Sequence, residues 1–153
     1  PRYPYHLLRE EMQEFILDKL QLLIERKLIK GIGENGTEYT VIAQILDLPK
    51  EILRLIQKFD FTKKNPKLIY INTGETMISL QDSILVTFLN LAGFDILFFV
   101  PTGYQSVENY FAEKLMEEHQ IGEYKYDMQV PDLNNISTNS TRPSWRRKLF
   151  RRG

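Results

Sequence analysis

Between His6 and Lys30 the chain has no proline or glycine, and Leu8, Met12, Phe15, Ile16, Leu20 and Leu23 recur at intervals of three and four. That spacing puts them on one helical face and predicts a long amphipathic helix. Leu7, Leu17, Leu22 and Ile29 fall off this stripe, so the helix is expected to be covered on more than one side. Gly31, Gly33 and Gly36 then end it. Two shorter helices, residues 38–46 and 50–58, are expected around Asp47-Leu48-Pro49, where proline suits a first helical position.

The period changes after Pro66. Leu68-Ile69-Tyr70-Ile71 is a run of β-forming residues and predicts a short strand. Ser79 and Asp82, three apart, form a capping-box signature for a helix over residues 80–92 that Gly93 ends. Residues 95–100 are continuously apolar after Asp95, the pattern of a parallel strand covered on both faces. Ser106 is expected to cap a helix to about His119, with Glu108 complementing its dipole. Residues 124–130 alternate, with Tyr126, Met128 and Val130 on one face, and read as a third strand. The expected fold is therefore α/β: a small Rossmann-like three-stranded parallel sheet in the order βαβαβ, preceded by a helical segment. In this division residues 1–58 are helices packing on the sheet, 59–131 the α/β core, and 132–153 a flexible basic tail.

Composition narrows the chemistry. With 153 residues, 42% of them apolar and 26% charged, the chain suits one globular domain. It has no cysteine, and its two imidazoles, His6 and His119, lie far apart in sequence, so no metal centre or Cys-His nucleophile is expected. Apolar runs fall short of the ~18–20 residues of a membrane span, and no secretory signal pattern opens the chain, which points to the cytoplasm. Pro1 stands where a methionine would start a complete protein, so a missing N-terminal part is expected as a partner.

The net charge of zero hides an asymmetry. Residues 142–153 carry six Arg or Lys and no acid, leaving −6 on residues 1–141. Trp145, Leu149 and Phe150 among those charges allow a contact with an acidic partner, a membrane surface or nucleic acid, while such a tail is as often merely solvated. Lys50, Arg54, Gln57 and Lys58 on the second short helix allow a helix-turn-helix DNA-binding reading, but an acidic body argues against phosphate neutralisation.

Ligands of open parallel sheets bind beyond the carboxyl ends of the strands, where helix N-termini offer free N–H groups. Two loops qualify: Asn72, Thr73, Gly74 and Glu75 after the first strand, and Thr102, Gly103, Tyr104 and Ser106 after the second. The glycines let a backbone approach a phosphate or sugar, the hydroxyls add donors, and Glu75 is the candidate general base or ribose contact. Neither loop matches a named phosphate fingerprint, and any βα loop needs a glycine and a cap, so the same residues also fit a purely structural role. The cofactor stays open.

The strings FDFTKKNPKL, ISLQDSI and GFDILFFVPTGYQSVENYF, within residues 59–111, resemble the YceG-like family of bacterial proteins, as does the basic LFRRG ending. The resemblance implies a C-terminal domain of a longer cytoplasmic protein encoded in tellurium-resistance and stress operons. It further implies a component of a biosynthetic module, acting beside ATP-grasp and phosphoribosyltransferase-like enzymes that make a nucleoside-like metabolite. It carries over no catalytic residue. The expectation is a domain that binds a nucleotide- or sugar-phosphate-like metabolite at the strand-end loops. The alternative is a non-enzymatic scaffold that uses its long helix and basic tail.

Overall fold

A computed structural model describes residues 3–58, 64–73, 78–104 and 107–129. In chain order these form α1 (Glu10–Glu25), α2 (Thr37–Ile45), α3 (Lys50–Lys58), β1 (Lys67–Ile71), α4 (Leu80–Leu91) and β2 (Asp95–Phe99).

The helix predicted over residues 6–30 is shorter, and its end is a backbone device that hydrophobic spacing does not reveal. Lys27 adopts a left-handed conformation (φ 51°). Its N–H donates to Ile24 O (3.0 Å), and the Leu28 N–H reaches back to Leu23 O (3.4 Å). This is the Schellman arrangement, with lysine where glycine is usual. The turn frees Leu28 and Ile29 to enter the core, and Ile29 pairs with Phe111 in an isolated antiparallel bridge. Helix α4 ends by the same device with the expected residue: Gly93 (φ 99°) donates to Asn90 O and Phe94 to Leu89 O.

Helix α4 is the centre of the molecule. Ile84, Val86, Phe88 and Leu89 are buried, and so are Ser83 and Thr87, whose hydroxyls donate to the carbonyls of Ser79 and Ser83 at 2.8 Å. A helix buried nearly all round must satisfy its polar groups internally, and these back-bonds do so. Helices α1 and α2 pack against it through Met12, Ile16, Leu20, Leu23, Val41 and Ile45. On the sheet side, Leu68, Ile96 and Phe98 join the same core.

The predicted three-stranded Rossmann-like sheet is not what forms. Among the described residues there is one sheet of two parallel strands, β1 and β2, with Lys67 opposite Asp95 and Ile71 opposite Phe99. Tyr124, Tyr126 and Met128, expected on a third strand, are exposed, and Asp127 has a positive φ of 55° that interrupts an extended run. The segment touches the end of β2 instead of lying alongside it: the Lys125 N–H donates to Pro101 O at 2.8 Å. The helix expected from Ser106 to His119 is also absent over residues 107–119. Phe111, buried at 3% exposure, is spent on the bridge to Ile29, and the Ala112 N–H donates to Leu28 O, so the backbone bonds a helix would use go elsewhere.

Candidate functional site at the strand ends

The β–α–β unit formed by β1, α4 and β2 places the carboxyl ends of both strands side by side, because parallel pairing keeps Ile71 level with Phe99. The Asn72 N–H donates to Phe99 O (2.9 Å), which ties the two following loops together at their roots. Asn72 and Thr73 are half-buried there. Gly74, Glu75 (the candidate base) and Ser106 lie outside the described residues.

In the second loop Thr102 is 5% exposed, and its Oγ1 has no hydrogen-bond partner among the described residues. A buried unpaired hydroxyl costs stability and calls for a reason. Gly103 (φ 71°) follows a turn closed by its own N–H on Val100 O (3.0 Å), and Tyr104 is exposed. The glycine was expected to clear space for a ligand. Its open side instead faces the ring of Tyr124, which a Cβ at position 103 would overlap. Tyr124 and Lys125 are thus part of this site, and the alternation that suggested a strand concealed them.

The helix that starts beside the site is capped as expected. Ser79 Oγ accepts from the Asp82 N–H (3.0 Å) and donates to Asp82 Oδ2 (2.6 Å). Burial and the neighbouring Asp82 carboxylate, to which its hydroxyl is hydrogen-bonded, hold the Tyr70 phenol above its usual range. Asp82 therefore serves Ser79 and Tyr70.

Elsewhere the candidates stay apart. His6 Nδ1 sits 2.8 Å from Tyr3 O, and His119 Nε2 lies 3.6 Å from Glu117 on an exposed stretch. Among the described residues no three His, Asp or Glu side chains gather as metal ligands. Lys50, Arg54, Gln57 and Lys58 are all exposed on α3, together with Glu51. A concavity beside Lys114, Met116 and His119 is formed by one continuous stretch of chain, with no second element to supply converging groups. No helix among the described residues is long and apolar enough to cross a membrane.

Residues 3–141 match the family model of the YceG domain. Over 93 residues the chain is 31% identical to the "Uncharacterized protein YceG" of Bacillus subtilis (strain 168), a match covering 59% of this chain and 17% of that protein. The chain thus spans about a sixth of the length of that relative. No solved structure matches it.

Proposed function

This chain belongs to the YceG domain family, and we propose that it is a ligand-binding α/β unit of a longer protein in a bacterial stress-response biosynthetic module. The tellurium-resistance setting and the cytoplasmic location are those the family resemblance implies. The proposed ligand is a nucleotide- or sugar-phosphate-like metabolite, held where the loops after β1 and β2 meet.

One observation carries this reading: the Thr102 hydroxyl, buried and unpartnered at the end of β2. A hydroxyl in that state is stabilised by an acceptor or donor brought by a ligand, and the crevice beyond parallel strand ends is where such ligands sit. The Asn72 and Thr73 side chains stand at the root of the adjoining loop. Tyr124, stacked over Gly103, would close one side of the ligand.

The test is Thr102→Val, which keeps the shape and removes the hydroxyl. A thermal-shift screen with nucleoside monophosphates, phosphoribosyl compounds and nucleotide sugars is expected to find a stabilising ligand. At ~100 times its dissociation constant the gain is ~2.7 kcal/mol. Thr102→Val should abolish that shift while leaving the unliganded protein as stable as before, or more so. A ligand that binds both forms equally sinks the assignment.

A second reading, a docking module, is favoured by a different observation, the uncovered face of the sheet.

A further inference from the structure

Strand alternation sends Leu68, Tyr70, Ile96 and Phe98 toward the helices and the opposite set away from them. On that far face Ile69 is 58% exposed, Ile71 44%, Leu97 51% and Phe99 41%. Register makes these two complete apolar rungs, Ile69 beside Leu97 and Ile71 beside Phe99. The third rung is polar: Lys67 Nζ meets Asp95 Oδ2 at 2.6 Å. The face therefore has an apolar floor toward the strand ends and a charged margin at the other end.

Parallel strands occur almost only where both faces are covered, because their crossovers carry helices onto the sheet. We propose that this face is a docking surface for an amphipathic helix from another part of a YceG polypeptide. The proposal rests on the reading of this chain as one unit of a longer protein, and not on the metabolite.

Three observations select that occupant. The relative from Bacillus subtilis has about five-sixths of its length outside the match, ample for further strand–helix units. Residues 107–129, expected to supply a further helix and the start of a third strand, are irregular and lie mostly in solvent. A second copy is the weaker fit: four half-exposed side chains fall well short of the ~800 Å² per partner of a standard interface. A helix on the same polypeptide needs less area, since tethering raises its effective concentration.

The absence of cysteine makes the test direct. In this chain, Ile69→Cys and Leu97→Cys should each react with a maleimide as fast as an exposed thiol, at every protein concentration. A cysteine at the position aligned with Ile69 in the full-length Bacillus subtilis relative should react at least ~10-fold more slowly until it is denatured, as a covered site does. The relative without the substitution gives the background, and circular dichroism checks each fold. Ile71→Cys replaces Ile69→Cys if that variant misfolds.

Equally fast labelling in the native full-length relative overturns the proposal. So does slow labelling in this chain: if it speeds on dilution the occupant is a second copy, and if it does not the chain covers the face itself. No ligand enters the measurement, so failure of the Thr102→Val test leaves this one intact, and the reverse holds too.

Discussion

The ring of Tyr124 lies against Gly103 in the space that any side chain at position 103 would need. The contact closes a short circuit, because the next residue, Lys125, donates its N–H to Pro101 O (2.8 Å), and Gly103 donates its own to Val100 O (3.0 Å). The glycine is therefore required by the protein itself, whatever it does for a ligand.

Gly103→Ala should cost about 2 kcal/mol, combining ~1–2 kcal/mol for a left-handed non-glycine backbone with displacement of the ring. Adding Tyr124→Ala removes the collision and keeps the strain. Urea denaturation should then show the Gly103→Ala penalty smaller in the Tyr124→Ala background. A penalty of the same size in both backgrounds would mean that the ring does not rest on Gly103.

Lys27→Gly is expected to stabilise the chain by up to ~1 kcal/mol. Lys27 holds φ 51° at the end of α1, and glycine occupies that region without the Cβ conflict. Gly93 does the same task at the end of α4 with φ 99° and shows what the position prefers. The gain is partly offset by the extra freedom glycine gives the unfolded chain. Equilibrium unfolding in urea measures the result, and a loss of stability would show that the lysine side chain contributes more than its backbone costs.

These two termini also mark how far the sequence could be read. Gly93 announced the end of α4, and Ser79 with Asp82 announced its start, because each residue type is chosen for a backbone need visible at that position. Lys27 carries no such sign, so α1 read as too long. The strands β1 and β2 were legible from their apolar runs, and Thr102 and Gly103 from their place after β2. The run 95–100 read as covered on both faces, whereas Leu97 and Phe99 on the far face are exposed and no described residue covers them. The third strand failed for a physical reason: alternation at Tyr126 and Met128 describes a surface that fits a sheet and supplies no neighbour to pair with. The helix expected after Ser106 lost to a long-range contact, Phe111 with Ile29, that no local pattern encodes.

Acid should weaken the chain partly through Asp95. The Lys67 ammonium at 2.6 Å and the Asn65 amide at 3.4 Å hold its carboxyl below the usual range. A depressed folded pKa means stability that is complete above the ordinary carboxylate range, ~4, and lost as pH falls through the lower folded value. Glu38, held down chiefly by the Gly33 N–H on its Oε2, titrates in the same direction. Asp95→Asn should therefore lower the thermal midpoint at pH 7, with the gap to the parent chain closing as pH approaches 3. A gap independent of pH would assign the effect to packing and not to the ion pair.

Tyr5 fastens the turn between α2 and α3 from 40 residues away. Its hydroxyl donates to Ile45 O (2.6 Å) and accepts from the Leu48 N–H (2.8 Å), at a site where the residue is 6% exposed. Tyr5→Phe keeps the ring and strips both bonds, leaving a buried N–H and carbonyl short of a partner. The expected cost is about 2 kcal/mol, several degrees in thermal midpoint for a chain of this size. Burial holds the Tyr5 phenol above its usual pKa, with the Leu48 N–H pulling partly the other way. A raised folded pKa gives stability that is complete below ~10, the ordinary phenol value, and lost as pH climbs through the folded one. The phenylalanine variant has no such loss, so its deficit should be full at pH 7 and shrink above pH 10. Melting curves across that range check both signs at once, and a variant as stable as the parent at pH 7 would show that the turn holds without the hydroxyl.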